Sequence, residues 1–385
     1  MKLADRYRDA QPSGMVKIFQ AIEKMDGVLN LSIGEPDFDT EHDIIDAAAK
    51  AAKDGFTHYP PLQGFLDVRT AVCDYWKRHH KLDCAPDEVL MTVGGIQTPN
   101  LAMQALLNPG DEVILVEPCF SPYFVQVKDS GGVPVSVKTA EENGFAPTVS
   151  DLEKLITPRT KILLLNSPCN PTGRVIPCGQ LEEIAAVVAK HDIFVLSDEI
   201  YEALIYKGEH VPFAALPGMK TRTLLMGGMS KSHCMTGWRV GYAIGPSELI
   251  RVMTMISSSQ TYGLNTLAQK GTAYALANHD AKLIERKKIF AERMDYVEKR
   301  LNGMKNVTCA PAEGAFYLFP NIAKTGFTSE EFVWKLLEDA HVATIPGSAF
   351  GVSGEGYLRI ACTQSMEILV QAMDKIEKFL EGLRK

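Results

Sequence analysis

Four short segments of this chain carry side chains that could do chemistry, and each follows an apolar run. In Gly228-Met229-Ser230-Lys231-Ser232-His233-Cys234-Met235-Thr236-Gly237-Trp238-Arg239 a lysine lies among small hydroxyl residues, with an arginine eight positions later. An exposed lysine is only a solvated cation. One buried beside other cations loses its proton readily and becomes a nucleophile. The run is not a G-x-S-x-G serine elbow, because the last glycine is missing. In Ser197-Asp198-Glu199-Ile200-Tyr201 a carboxylate closes an apolar run. There it needs a cation, or it caps a following helix. Asn166-Ser167-Pro168-Cys169-Asn170-Pro171-Thr172-Gly173 holds Asn170 between two X-Pro steps, which make a stiff, extended segment or simply a loop rich in turn formers. Gly94-Gly95-Ile96-Gln97 offers a tight turn into a helix, whose free N–H groups suit an anion. It is neither G-x-G-x-x-G nor a Walker A loop, which counts against dinucleotides and nucleoside triphosphates.

These segments need a scaffold, and the runs before them predict one. Val89–Val93, Glu112–Val116, Lys161–Leu165, Ile193–Ser197 and Thr223–Gly227 are near-continuous apolar runs, as expected of strands buried on both faces of a mainly parallel sheet. Leu181–Lys190 has helical spacing, with acids early and a base late. The expected class is α/β, in which ligands bind at the carboxyl ends of the strands. A charged helix over about 279–301 reads as a connector. Beyond it, Gly314–Phe319, a helix over 329–340, Gly356–Ile360 and a final helix predict a second, smaller α/β unit.

Bulk properties narrow the field. The chain has 385 residues, enough for a large domain and a smaller one, with a formal net charge of -7 and both signs interspersed. Nucleic-acid binding needs a concentrated basic face, so no nucleic-acid partner is expected. The start, Met1–Arg8, has no apolar leader core, and no apolar run reaches the ~18–20 residues that cross a bilayer. Eight cysteines are scattered without zinc-ligand spacing, as expected of reduced thiols in a cytoplasmic protein. No metal and no membrane association are expected.

Together the four segments resemble the class I/II, fold-type I aminotransferases that depend on pyridoxal 5'-phosphate (PLP). The pattern N-P-T-G, D-E-x-Y and S-K-x-x-x-M-T-G-W-R carries the resemblance, with Ser32-Ile33-Gly34-Glu35-Pro36-Asp37-Phe38, His58-Tyr59, Gly64 and Pro346–Gly351. It is nearest to the aromatic and broad-range branch. The resemblance implies a large domain (40–285) with a mainly parallel seven-stranded sheet covered by helices. A small domain would comprise 286–385 with the N-terminal segment 1–39. Lys231 would carry the cofactor as a Schiff base and move the substrate proton. Asp198 would hold the pyridine nitrogen protonated, with Tyr201 and Asn170 on the ring hydroxyl and Phe120 stacked on the ring. The phosphate would lie on Gly95 and Ile96, with Ser230 and Arg239. Tyr59 would reach a neighbouring subunit's phosphate, which implies a homodimer with shared active sites. Arg359, with Gly34 and Asn170, would grip the substrate α-carboxylate.

The implied activity is amino transfer from an L-amino acid to a 2-oxo acid such as 2-oxoglutarate, in two half-reactions. Ile96 stands where an aspartate-specific branch carries a lysine, which favours aromatic or apolar donors. An aspartate- or alanine-type transferase and a PLP β-lyase are the alternatives within the fold. A PLP-sensing regulator is the alternative outside enzymes, but it would carry a DNA-binding domain that this pattern leaves no room for.

Overall fold

The five apolar runs become strands in the computed structural model, which describes residues 14–383. The reading of Met1–Arg8, and the first thirteen residues of segment 1–39, lie outside the described residues. The strands in chain order are β1 (Leu29–Asn30), β2 (Val89–Val93), β3 (Glu112–Glu117), β4 (Val133–Lys138), β5 (Thr160–Asn166), β6 (Phe194–Asp198), β7 (Thr223–Gly228) and β8 (Val240–Ile244). They continue with β9 (Tyr317–Leu318), β10 (Val342–Ala343), β11 (Ile345–Pro346) and β12 (Leu358–Ala361).

Seven of them form one sheet in the order β2-β8-β7-β6-β5-β3-β4. Only β8 runs against its neighbours, β2 and β7; every other pairing is parallel. The central strands are buried on both faces, as their unbroken apolar sequences require. Two strands of this sheet escaped the apolar-run reading. The edge strand β4 is half-exposed and carries Pro134, which an edge tolerates. The fully buried β8 begins directly after Arg239 and so merged with the lysine segment.

Helices cover the sheet, among them Cys178–His191, a few residues longer than its predicted core. The connector is a single helix, Asp280–Asn302, which crosses position 285 without a break. Beyond it, β11-β12-β9 form a small antiparallel sheet that packs with the helices Ser329–Ala340 and Met366–Gly382. Gly314–Phe319 yields only the two-residue β9, because Ala315 takes a left-handed conformation just before it. The N-terminal part joins this second core: β1 pairs in parallel with β10, and Ile18 and Leu31 pack with Phe332 and Leu369. All eight cysteines are free thiols. No helix among the described residues is long and apolar enough to cross a membrane.

Candidate functional site

The segments that follow β2, β5 and β7, and the carboxyl end of β6, meet at one cavity of about 340 Å³. At one end lies the turn Gly94-Gly95-Ile96, from which the helix Gln97–Leu106 starts. Gly94 has φ +66°, and a side chain there would stand 2.6 Å from the Arg239 guanidinium. Glycine therefore lets Arg239 lie against the turn, while the Gly94 amide donates to the Arg239 carbonyl at 2.8 Å. Ser230 completes this end of the lining. Gln126 braces the turn from outside, donating to the Ile96 carbonyl at 2.9 Å.

In the middle, Lys231 Nζ donates to the Gly34 carbonyl at 2.6 Å. Burial pushes the amine down to about 8, and the neighbouring Arg359 adds to the effect. Asp198 is 6% exposed. Its carboxylate accepts from the Tyr123 hydroxyl and, at 3.1 Å, from the Ile200 amide. Burial pushes it up to about 6 against the pull of those two bonds. Neither expectation for Asp198 holds within the chain itself: a turn follows rather than a helix, and no cation pairs with it among the described residues. A buried carboxylate that faces a cavity and has no cation bonded to it, Lys231 acting only from a distance, is complementary to a ligand that brings one.

Tyr201 shares a 2.8 Å hydrogen bond with Tyr317. Phe120 faces the cavity and meets Tyr123 edge-to-face, with ring centres 5.6 Å apart. At the far end Arg359 projects from β12. It donates to Asn170 Oδ1 at 3.0 Å and to the Ser32 carbonyl at 2.5 Å. Its Nε is buried without a hydrogen-bond partner, so the fork has a free donor. Gly34 is required here by contact alone, since a β-carbon would fall 1.8 Å from the Tyr317 hydroxyl. Met15, Phe19, Ile33, Ile96 and Pro99 supply an apolar wall.

Eleven of the twelve residues singled out in the sequence line this cavity: Gly34, Gly95, Ile96, Phe120, Asn170, Asp198, Tyr201, Ser230, Lys231, Arg239 and Arg359. Tyr59 does not. It is 81% exposed and packs edge-to-face on Tyr262 at 4.9 Å. Sequence reading missed Tyr123, Tyr317 and Asn166. Asn166 lay inside a quoted segment, and its side chain holds the strand end by donating to the Asp198 carbonyl at 3.1 Å and accepting from the Asn170 amide at 2.8 Å. No group of metal-ligating side chains is present among the described residues.

Comparison with known proteins accords with this geometry. Residues 26–376 match the family described as aminotransferase class I and II. The chain is 40% identical to aromatic-amino-acid aminotransferase 2 of Thermococcus litoralis, covering 99% of each. It is 41% identical to an aspartate aminotransferase of Pyrococcus abyssi, covering 99% of this chain and 98% of that one. It superimposes on the crystal structure of an aromatic aminotransferase from Pyrococcus horikoshii with a TM-score of 0.91 at 39% identity, covering 95% of this chain and 99% of the other.

Proposed function

This chain belongs to the class I and II aminotransferases, and on that footing we propose that it moves the amino group of an aromatic or other apolar L-amino acid to a 2-oxo acid. One observation carries the choice of donor. The cations lining the cavity are Lys231, Arg239 and Arg359, and each already has a task at the cofactor or the α-carboxylate. Met15, Phe19, Ile33 and Ile96 form an apolar part of the remaining wall, and Glu35 and Thr236, also on it, offer no cation to a second carboxylate, so the wall suits an uncharged side chain.

The family uses PLP, which when bound supplies an aldehyde that condenses with amines and a pyridine ring that draws electron density from the reacting carbon. The donor set fits it. Lys231 would hold the aldehyde carbon, and an amine with a pKa near 8 can also pass a proton at the substrate α-carbon near neutral pH. Asp198 would pair with the protonated pyridine nitrogen, which supplies the cation its carboxylate lacks. Tyr201 and Asn170 would hydrogen-bond the ring hydroxyl, and Phe120 would stack on the ring. The Gly95 and Ile96 amides, Ser230 and Arg239 would hold the phosphate. Arg359, with one free donor, would take the substrate carboxylate beside Gly34.

Tyr59, exposed with Tyr262, would complete the phosphate site of a second copy in a homodimer. The unit made by the N-terminal segment and residues 286–385 would close over the cavity and exclude water.

A donor panel with pyruvate, an acceptor that brings no second carboxylate to the wall, tests the reading. Phenylalanine or tyrosine should turn over with a kcat/KM at least about tenfold above that of aspartate, as one desolvated carboxylate without a partner costs more than about 1.4 kcal/mol. A preference for aspartate refutes the choice of donor. Borohydride should trap PLP on Lys231 and trap none on Lys231→Ala; an adduct on the variant refutes the lysine.

A further inference from the structure

Behind the wall that carries Asp198 and Tyr201 lies a second buried polar cluster, outside the cavity. Asp198 and Tyr201 face the cavity, whereas Glu199 and Glu202, their neighbours in sequence, do not line it and are buried. Glu199 accepts from the Ser197 hydroxyl at 2.7 Å and the Phe213 amide at 3.1 Å, and pairs with His210 Nε2 at 2.6 Å. Glu202 accepts from the Tyr75 hydroxyl at 2.9 Å and pairs with His80 Nε2 at 2.9 Å. The two imidazoles are 5.1 Å apart, and Trp76 lies 4.8 Å from that of His80. Burial opposes a charge on His210, yet Glu199 and then Glu202 outweigh it and hold the imidazole above its usual value. Burial opposes ionisation of Glu202 in the same way, and His80, His210 and Tyr75 outweigh it.

Buried carboxylates with hydrogen-bonded partners are a poor means of stabilising a fold, because apolar side chains of equal volume do as well or better. What they supply is direction. Glu199 and Glu202 fix the short stretch that holds Asp198 and Tyr201 from the side opposite the cavity. The lysine segment rests on the same cluster. His233, two residues beyond Lys231, is buried with its ring 6.3 Å from that of Tyr75, and its Nδ1 bonds the Ser232 hydroxyl at 2.8 Å. Trp76 donates to the Tyr242 hydroxyl at 3.0 Å. The Tyr242 ring in turn fills the place of a side chain at Gly227, where a β-carbon would stand 2.3 Å from it, under the strand that leads to Lys231.

We propose that the end of the helix Leu66–His80, through Tyr75, Trp76 and His80 and together with His210, is a positioning platform that sets the aim of Asp198, Tyr201 and Lys231 at the cofactor. The proposal rests on the PLP reading above. None of these platform residues touches the cavity, so they act through the residues they hold.

The test uses the full chain loaded with PLP, comparing wild type with Glu199→Gln and Glu202→Gln, which keep the shape of each pair and replace its carboxylate by an amide. Measured are the PLP dissociation constant by fluorescence quenching, the pH midpoint of the bound-PLP absorbance, and kcat and KM for the best donor. Tyr75→Phe, which removes one hydrogen bond and leaves both pairs, serves if a glutamine variant does not fold. Ile184→Ala, in a separate part of the core, is the control for lost stability alone. The expected result is weaker PLP binding, a displaced absorbance midpoint and a kcat lowered about 10- to 100-fold with KM little changed, the size expected of reacting groups misplaced by up to about 1 Å. Tyr75→Phe should move the same readouts less, in the same direction. If these variants lose thermal stability as Ile184→Ala does while PLP affinity, midpoint and kcat stay at wild-type values, the cluster is merely structural and the proposal is overturned. Should wild type itself take up no PLP in the same titration, the cofactor reading fails first and the platform falls with it.

Discussion

Tyr123→Phe is the most incisive perturbation of the site, because it removes a single hydroxyl and leaves the ring in place. Tyr123 is 1% exposed, and the edge-to-face contact with Phe120 does not involve its oxygen. Burial, together with the adjacent Asp198, holds the phenol far above its usual pKa, so the hydroxyl stays a donor at every working pH. A hydrogen bond to a charged acceptor is worth about 1.5–3 kcal/mol, and about 1.4 kcal/mol corresponds to one pH unit in a titration midpoint. Loss of the Tyr123 donor should therefore move Asp198 from about 6 to about 7–8. At pH 7 the ionised share would fall from roughly nine-tenths to between a tenth and a half. The ionised carboxylate is the form that pairs with a protonated pyridine, so PLP binding should weaken with acid at a higher pH than in wild type. Fluorescence titration of cofactor-free protein with PLP between pH 5.5 and 9 reads this directly. Lys231 titrates in the same range in both proteins, so the displacement between the two curves is the diagnostic quantity. Superimposed curves would refute the idea that Tyr123 keeps Asp198 charged.

Two further outcomes follow from the same geometry. In the folded, cofactor-free chain Asp198 titrates near 6, above the ordinary ~3.9, so the folded state binds more protons between those values. Its contribution to stability is present below about pH 4 and is lost as pH rises through about 6. Urea unfolding should thus show the cofactor-free wild type losing roughly 2 kcal/mol relative to Asp198→Asn between pH 4 and 7. A flat difference would contradict it. Arg359→Lys keeps the charge but loses the fork that reaches Asn170 and Ser32 and presents Nε. Its kcat/KM for the best donor should drop roughly 10- to 150-fold, with PLP affinity unchanged; a matching loss of PLP affinity would mean that Arg359 serves the cofactor instead.

Much of the sheet was legible because strands buried on both faces leave an unmistakable mark, an unbroken apolar run. Strand β4 left no such mark, since an edge strand needs only one buried face. Gly95, Asn170, Asp198 and Lys231 stood out because they sit where those runs stop, and a polar group there has to be satisfied by something, whereas Gly34, Phe120, Tyr59 and Arg359 stood out only through the family resemblance. Tyr123 and Tyr317 were not, for a physical reason: each looks like an ordinary core aromatic, and only its hydroxyl, placed by residues 75 and 116 positions away, gives it a role. Glu199 and Glu202 were hidden differently. Their histidine partners come from 11 and 122 positions away, and sequence spacing alone says nothing about a pairing of that reach.

The arrangement also bears on how such a site chooses its substrate. Every group proposed to hold PLP, Tyr59 included, comes from residues 59–239. By contrast, Arg359 stands on β12, and the apolar wall includes Met15 and Phe19 from the helix Gly14–Ile22. That helix rests on the C-terminal unit: a β-carbon at Gly14 would touch Pro346 and Ala349 at 3.6 Å, and Ile18 shares a core with Leu358 and Ile360. Arg359 and the Met15 and Phe19 part of the wall are thus packed together on one unit, while Asn170 and Ile96 face them from the sheet that holds the cofactor. On the closure proposed above, a substrate whose side chain fits the wall would press that unit toward the large sheet in the same movement that sets Arg359 on its carboxylate. One whose side chain carries a charge would meet an apolar surface at that moment and be rejected at the closing step, not at first contact. Selection of this kind shows in kcat as well as in KM, and the donor panel separates the two.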